Sequence, residues 1–415
     1  MGQWSSSLIN LVYRATLQLG PPGHSLRYLF LSNLTLNLQD RFRQWGIMSD
    51  PDEAIELHRA ALLLRPVGHT EQSSSLNNLT IGLQHRFQQR GIMSDLDEVT
   101  ELHRAVLLLR PPGRSDRSKF LNNLAASLED KFRQRGIMSD LEEIIELNRA
   151  VLLLRPPGHS DRSKSLNNLA ASLGDKFRQR GIMSDLEEII ELNRAVLLLR
   201  PPGHSERFSS LNNLALSLQD RFRHRGIMSD LDEAIELNRA ALLLCPPGHS
   251  DRSMSLNSLA NCLRDRFLQR GIMSDIDEAI ELHHATLLLL PPGHSDRFKS
   301  LNNLALHLRD RFLQRDIMSD IDEAIELHRA ALLLCPPGHS DRSMSLKNLV
   351  LCLGDRFKQQ GIMSDLDEAI ELHHAALLLR PPDHSDRSSS LNNLALDLRH
   401  RFLQQSITSD LDEAI

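Results

Sequence analysis

The chain repeats itself at a fixed interval of 45 residues. Gly46-Ile47-Met48-Ser49-Asp50 returns at Gly91, Gly136, Gly181, Gly226, Gly271 and Gly361, and in altered form at Asp316 and Ser406. These nine copies follow one another without an insertion or deletion, and one of them reads GIMSDLDEAIELNRAALLLCPPGHSDRSMSLNSLANCLRDRFLQR, from Gly226 to Arg270. A long fixed period means units that pack only on their sequence neighbours, since no single unit can bury its apolar face alone. The expectation is an all-α solenoid whose function lies on an extended surface, not in one catalytic pocket. Residues 1–415 read as a single array of about nine units, incomplete at both ends: Ser5 aligns with Asp50, and Ile415 falls less than two turns into a helix. Uncovered terminal faces of this kind favour end-to-end self-association.

Each copy carries two helical patterns. In the second copy Leu96, Val99, Leu102, Val106 and Leu109 recur at steps of three and four, the mark of a helix with one buried face. Asp95 followed by Glu98 has the spacing of a capping box with aspartate as the cap, and Pro51 suits the first turn of the corresponding helix. Pro111-Pro112-Gly113 ends the pattern, because proline lacks the backbone donor and forces its predecessor out of helical geometry. The next helix is expected from about Ser115, with Asp116 in its first turn, through Leu121, Leu124, Ala125, Leu128 and Phe132 to a left-handed cap at Gly136. Asp316 and Ser406 stand where the other copies have that glycine, at about 1 kcal/mol each if the backbone stays left-handed. Nine phenylalanines share one phase, from Phe42 and Phe87 to Phe357 and Phe402, on the leucine face, which reads as core.

Composition narrows the function classes. A formal charge of −6 is spread over both signs in every copy, so neither a polybasic nucleic-acid surface nor an acidic tail is expected. No apolar run reaches the length of a membrane span, and no secretory signal opens the chain. Met1-Gly2-Gln3-Trp4-Ser5-Ser6 matches the loose N-myristoylation pattern, but no lysine cluster or nearby cysteine supplies a second anchor. Cys245, Cys262, Cys335 and Cys352 show no zinc spacing and read as reduced core residues in the cytosol or nucleus, with a cytoplasmic protein expected. Histidines such as His159, His204 and His249 lie too far apart along an array to share a metal, and His283-His284 and His373-His374 point to different helix faces. No phosphate-binding loop, nucleophile elbow or zinc-protease motif is present, so no catalysis, cofactor or metal is expected.

These residues resemble the tetratricopeptide repeat in its longer, kinesin-light-chain-like form, over essentially the whole chain. Leu211, Leu214, Ala215 and Leu218 fall where that motif has its large-large-small-large set, Ala234 and Ala241 match the small residues of the partner helix, and Pro246 matches the closing proline. The phrases SLNNLA, DRF and DLDEAI are similar to repeat arrays of mushroom-forming fungi that often precede a caspase-like CHAT protease domain. The resemblance implies a right-handed α-solenoid acting as a protein–protein interaction scaffold, with a protein or extended peptide in its concave groove. It leaves two alternatives open: the regulatory arm of a larger CHAT-type protease, or a truncated product of repeat expansion.

Matched to that family, the groove phase holds Asn77, Asn122, Asn167, Asn212, Asn257, Asn302 and Asn392, with Ser32 and Lys347 as departures. An amide both donates and accepts, so a column of asparagines suits a peptide backbone of any sequence; the other reading is that these amides bond to adjacent helices and set the repeat spacing. Two turns further along the helix the copies disagree: Gln84, Glu129, Gly174, Gln219, Arg264, Arg309, Gly354 and Arg399. A shift from neutral and acidic residues to arginine is suited to orienting an acidic ligand, with drift on a solvated face as the alternative. Gly136 to His159 and Gly181 to His204 are identical over 24 residues, solvent-facing positions included, which points to recent internal duplication. The informative positions are therefore those at which the copies differ.

Overall fold

The computed structural model describes residues 12, 14–15, 27–46, 50–63, 72–109, 113, 116–336, 339, 341–378 and 387–414. Every regular element among them is an α-helix. The contacts divide the chain into two compact units, Met1–Leu199 and Arg200–Ile415.

The first unit contains α1 (Arg27–Trp45), α2 (Asp50–Leu63), α3 (Gln72–Arg90), α4 (Met93–Leu108), α5 (Arg117–Arg135), α6 (Met138–Leu153), α7 (Arg162–Arg180) and α8 (Met183–Leu199). The second contains α9 (Arg207–Arg225), α10 (Met228–Leu243), α11 (Arg252–Arg270), α12 (Met273–Leu289), α13 (Arg297–Arg315) and α14 (Met318–Leu333). It continues with α15 (Arg342–Gln360), α16 (Met363–Leu378), α17 (Arg387–Gln405) and α18 (Thr408–Ala414). Within each unit an odd-numbered helix packs on the even-numbered one that follows, and that helix packs on the next odd one. Each unit is thus a stack of hairpins in which contacts join sequence neighbours.

From α3 onward a two-residue link closes each hairpin. Gly136 takes a left-handed conformation (φ 65°, ψ 21°) and its N–H bonds to the Phe132 carbonyl, satisfying one of the last free acceptors of α5. Ile137 is extended (φ −77°, ψ 115°), and α6 begins at Met138. Asp316 and Ser406 hold the same left-handed backbone, both at φ 55°, so the turn survives without glycine. The hairpin interior is filled by the expected phases. Leu211, Leu214, Ala215, Leu218 and Phe222 of α9 and Leu231, Ala234, Ile235 and Ala241 of α10 are all buried. Phe177, Phe222, Phe267 and Phe312 are buried as well, and Phe87, Phe132, Phe357 and Phe402 are half-buried. The side chain of Phe42 lies outside the described residues.

From α4 onward the even helices start earlier than the capping-box reading places them. α4 begins at Met93 with Ile92 as its cap residue and no side-chain cap, so Asp95 lies inside the first turn. Its buried carboxylate instead takes a two-pronged bond from Arg86 of α3, Nε to Oδ2 and Nη2 to Oδ1, each at 2.8 Å. A fork of two charge-assisted bonds holds the carboxylate more firmly than a backbone N–H would, and the helix is extended by two residues to reach it. The same fork recurs from Arg221 to Asp230, Arg266 to Asp275, Arg311 to Asp320, Arg356 to Asp365 and Arg401 to Asp410. Several of these arginines also reach back to the preceding copy, as Arg311 does to Asp277 at 3.0 Å. One guanidinium therefore closes its own hairpin and ties it to the one before.

Candidate functional site

The residues that differ between copies lie where one odd helix faces the next, and the structure pairs them across copies. Arg264 Nε donates to Asp310 Oδ2 at 2.5 Å and Arg309 Nε to Asp355 Oδ2 at 2.7 Å, each partner 46 residues on. Gln219 Nε2 donates to Asp265 in the same way at 2.7 Å. Gly354 is followed 46 residues on by His400, and Gly174 by Asp220, so these two copies offer no side chain for such a bond. Glu129 faces Asp175; burial foremost, and Asp175 after the opposing Arg133, hold its carboxyl above the usual range. The arginine gradient is thus matched by the acidic residue of the next copy. Arg399, by contrast, is exposed.

The asparagine column is engaged in the same fashion. Asn257 Oδ1 accepts from His283 Nδ1 on α12 at 2.9 Å, while its Nδ2 donates to Ser300 Oγ on α13 at 3.3 Å. Asn302 repeats this with His328 at 2.9 Å and Ser345 at 3.1 Å. Asn77 Oδ1 accepts from Asn123 Nδ2 of the next copy at 3.3 Å. Asn212 is buried, and neither its oxygen nor its nitrogen has a partner; the oxygen of Asn122 is likewise buried and unpartnered. Asn167 is half-buried beside exposed Asn168, and Asn392 is exposed. Bonds at both ends of Asn257 and Asn302 fix the spacing of three successive helices.

A second polar column, absent from the sequence reading, runs along the even helices. It is histidine at His58, His103, His283, His328 and His373 and asparagine at Asn148, Asn193 and Asn238, all buried. Four of them meet a residue of the following odd helix 24 positions later. Asn148 Nδ2 lies 3.3 Å from Ser172 Oγ, and Asn238 Nδ2 lies 3.4 Å from Cys262 Sγ. His283 packs edge-on against His307 with ring centres 4.5 Å apart, and His373 Nε2 lies 3.3 Å from Asp397. The amide oxygen of Asn257 can only accept, so His283 is protonated on Nδ1, and its Nε2 is left buried without a partner. Burial, and next to it His307, push this imidazole down to about 2; burial alone pushes His58 and His103 down to about 4. The four cysteines are free and buried, and burial pushes the Cys262 and Cys352 thiols up to about 12, far from a reactive thiolate. Comparing residues 24 and 46 positions apart would have shown these couples in the sequence; reading one copy at a time does not.

The loop histidines serve the chain itself. His159, His204, His249, His294 and His339 each accept, through Nδ1, the backbone N–H two residues on, at 3.0–3.2 Å. Among the described residues no group of histidine, cysteine and carboxylate side chains could hold a metal ion.

The regularity breaks in the second unit, around α15 and α17. Lys347 stands there in place of the recurrent asparagine and is exposed, and Gly354 in place of the arginine; a Cβ built on Gly354 meets nothing within 4 Å. A cavity of about 200 Å³ opens at this place, lined by Lys347, Gly354, Asp355, His373, Asp397 and His400 among others. It is smaller than a typical small-molecule pocket of roughly 300–1,000 Å³ and has the size of a side-chain subsite.

Stacked two-helix units of constant length, joined copy to copy by buried polar couples, define a helical repeat protein. Residues 208–251 match the family model of the tetratricopeptide repeat. Among solved structures, a Podosopora anserina putative kinesin light chain with nearly identical TPR-like repeats is 19% identical with TM-score 0.39, covering 52% of this chain and 96% of that one. A tetratricopeptide repeat protein from Parabacteroides merdae is 12% identical with TM-score 0.48, covering 79% of this chain and 98% of that one. Human IFIT1, solved as a dimer with m7Gppp-AAAA, is 14% identical with TM-score 0.41, covering 97% and 87% respectively. No curated protein sequence matches the chain.

Proposed function

We propose that the chain is a non-catalytic protein-interaction scaffold, one array over 1–415, that takes an extended peptide along the odd helices. The observation that supports this most directly is the opening at Gly354, where the internal ladder of side chains is interrupted beside an exposed lysine. Elsewhere Arg264 and Arg309 are neutralised by the next copy, so a ligand gains little from them. Lys347 of α15 and Arg399 of α17 are exposed cations, which suits a peptide carrying acidic residues. Free buried cysteines fit a reducing compartment such as the cytoplasm, and no helix among the described residues is long and apolar enough to cross a membrane.

An array of extended peptides bearing single Asp or Glu residues, probed with the full chain, tests this reading. Gly354→Arg places a long cation in the cavity without backbone conflict and is expected to weaken binding of the best acidic peptide about tenfold or more, near 1.4 kcal/mol. Lys347→Glu is expected to abolish the preference for acidic sequences. Unchanged peptide affinity in both variants, with unchanged helical content, would refute the assignment.

A further inference from the structure

The outer face of the even helices carries a feature that peptide binding on the odd helices leaves unexplained. In the second unit Leu243, Leu288, Leu333 and Leu378 are 85%, 88%, 86% and 89% exposed, and in the first unit Leu63, Leu108, Leu153 and Leu198 are 84–88% exposed. One exposed leucine is ordinary on a protein surface. Here the same side chain occupies the same place on every even helix from α2 to α16, at the C-terminal end of the outer face. Helix formation does not require it, since glutamate, lysine and glutamine serve a helix nearly as well and are soluble. The copies have also had room to change. The buried position two residues earlier is Ala61, Val106, Val151, Val196, Ala241, Thr286, Ala331 and Ala376, yet the exposed position is leucine in all eight.

The leucines of the second unit form a row. Arg239 of α10 bonds Glu278 of α12 at 3.0 Å, His284 of α12 lies 3.7 Å from Glu323 of α14, and Arg329 of α14 bonds Glu368 of α16 at 2.5 Å. These links join the outer faces of consecutive even helices. Each leucine lies four residues beyond the linking arginine or histidine, one turn along the same face. Leu244, Leu289 and Leu334, each about two-fifths exposed, widen the row. Between successive loops lies a depression of about 220 Å³ with Leu289 and Leu290 in its wall and His249 and His294 at its rim, roomy enough for an aliphatic side chain. A hollow thus lies beside the leucine knobs of the same stack.

We propose that this row is the interface of a homodimer, in which the leucine row of one chain packs against the leucine row of a second copy. A ladder of fixed pitch is matched in register over several rungs by a ladder of the same pitch, and a second copy of this chain has one by construction. The basic groups beside the row are already engaged within the chain, Arg239 with Glu278, His284 with Glu323 and Arg329 with Glu368, so they need no partner from the second copy. Four nearly bare leucines and three half-exposed ones amount to an apolar area on the order of 700 Å² per chain, against about 800 Å² per partner in a standard interface. A two-fold arrangement uses the same patch on both chains and closes at two. Association through the ends of the array is head-to-tail and open, which gives a different mass distribution.

Sedimentation and light scattering of the full chain from 1 to 50 µM test the proposal, with Leu243→Gln/Leu288→Gln/Leu333→Gln/Leu378→Gln as the variant. The wild type is expected to approach twice the monomer mass and the variant to remain monomeric, with at least a 30-fold loss of self-affinity and unchanged helical content by circular dichroism. Because these side chains are solvent-exposed the variant is expected to fold. Leu288→Gln alone, with a weaker but measurable loss, supplies the same test if it does not. A control, Met254→Gln/Met344→Gln on the odd helices, is expected to leave the dimer intact. A monomeric wild type, an open series of masses, or a dimer indifferent to the leucine changes would overturn the proposal. So would flotation of a monomeric wild type with phosphatidylcholine–phosphatidylserine vesicles, which would assign the row to a lipid surface.

Discussion

A single side-chain difference separates firm copies from loose ones. Six copies use arginine to fork the buried aspartate of the even helix, whereas Lys131 and Lys176 stand at that place in two others. Lys176 Nζ reaches only Asp185 Oδ1, at 3.1 Å, and Lys131 reaches Asp97 of the preceding copy instead, at 3.1 Å. Asp140 Oδ2 and Asp185 Oδ2 are buried without a partner. A lysine is one point charge on a flexible stem and cannot present two parallel donors. Lys131→Arg and Lys176→Arg should each restore the fork and stabilise the chain by about 1 kcal/mol, within the usual range for satisfying a buried acceptor. A higher urea midpoint at unchanged slope is the expected result. At Asp410 the Arg401 bonds outweigh what burial there is and hold the carboxyl below its ordinary range.

At the scale of the helix, the buried histidines make stability depend on pH. His58, His103 and His328 are pushed down to about 4 by burial and His283 to about 2, while an unfolded histidine titrates near 6.5. The native state therefore favours neutral imidazoles, and the unfolded chain binds more protons between the two values. Stability present above pH 6.5 is lost progressively as the pH falls from 6.5 toward 4. Asn148, Asn193 and Asn238 show that this fold accepts an amide at the same place. His283→Asn/His328→Asn should flatten the dependence of the unfolding midpoint on pH between 7 and 4; an unaltered slope would locate the acid sensitivity elsewhere. These histidines also mark how far the sequence could be read. Helix phase, the glycine cap and the buried phenylalanines are local patterns, visible within one copy. Asp95 misleads because capping and ion pairing want the same residue, and only the position of Arg86 in space distinguishes them. The roles of Asn257, Arg264 and His283 are decided by Ser300, Asp310 and His307 of the next copy, which no reading of a single unit contains.

At the scale of the whole molecule, stability should be distributed rather than pooled. Contacts join each helix to its sequence neighbours, so each copy is held by its own hairpin and two interfaces, and damage in one place has a limited reach. Phe312 provides the clearest case. It is 2% exposed and belongs to a core that runs from Phe267 and Ile276 through Leu304, Leu308 and Ile325 to Leu353 and Ala369. Phe312→Ala removes the centre of that core and should cost roughly 3–5 kcal/mol, the range for deleting a buried aromatic ring. In a protein with one undivided core that loss would lower protection everywhere by the same amount. In a stack it should be confined to the hairpins that share the core. Hydrogen exchange of the variant is expected to show amide protection falling across α11 to α16 while α5, α6 and α7 in the first unit exchange as in the wild type. An equal loss in both units would mean that the chain unfolds as one body, and the 45-residue period would then describe how the protein was assembled rather than how it is held together.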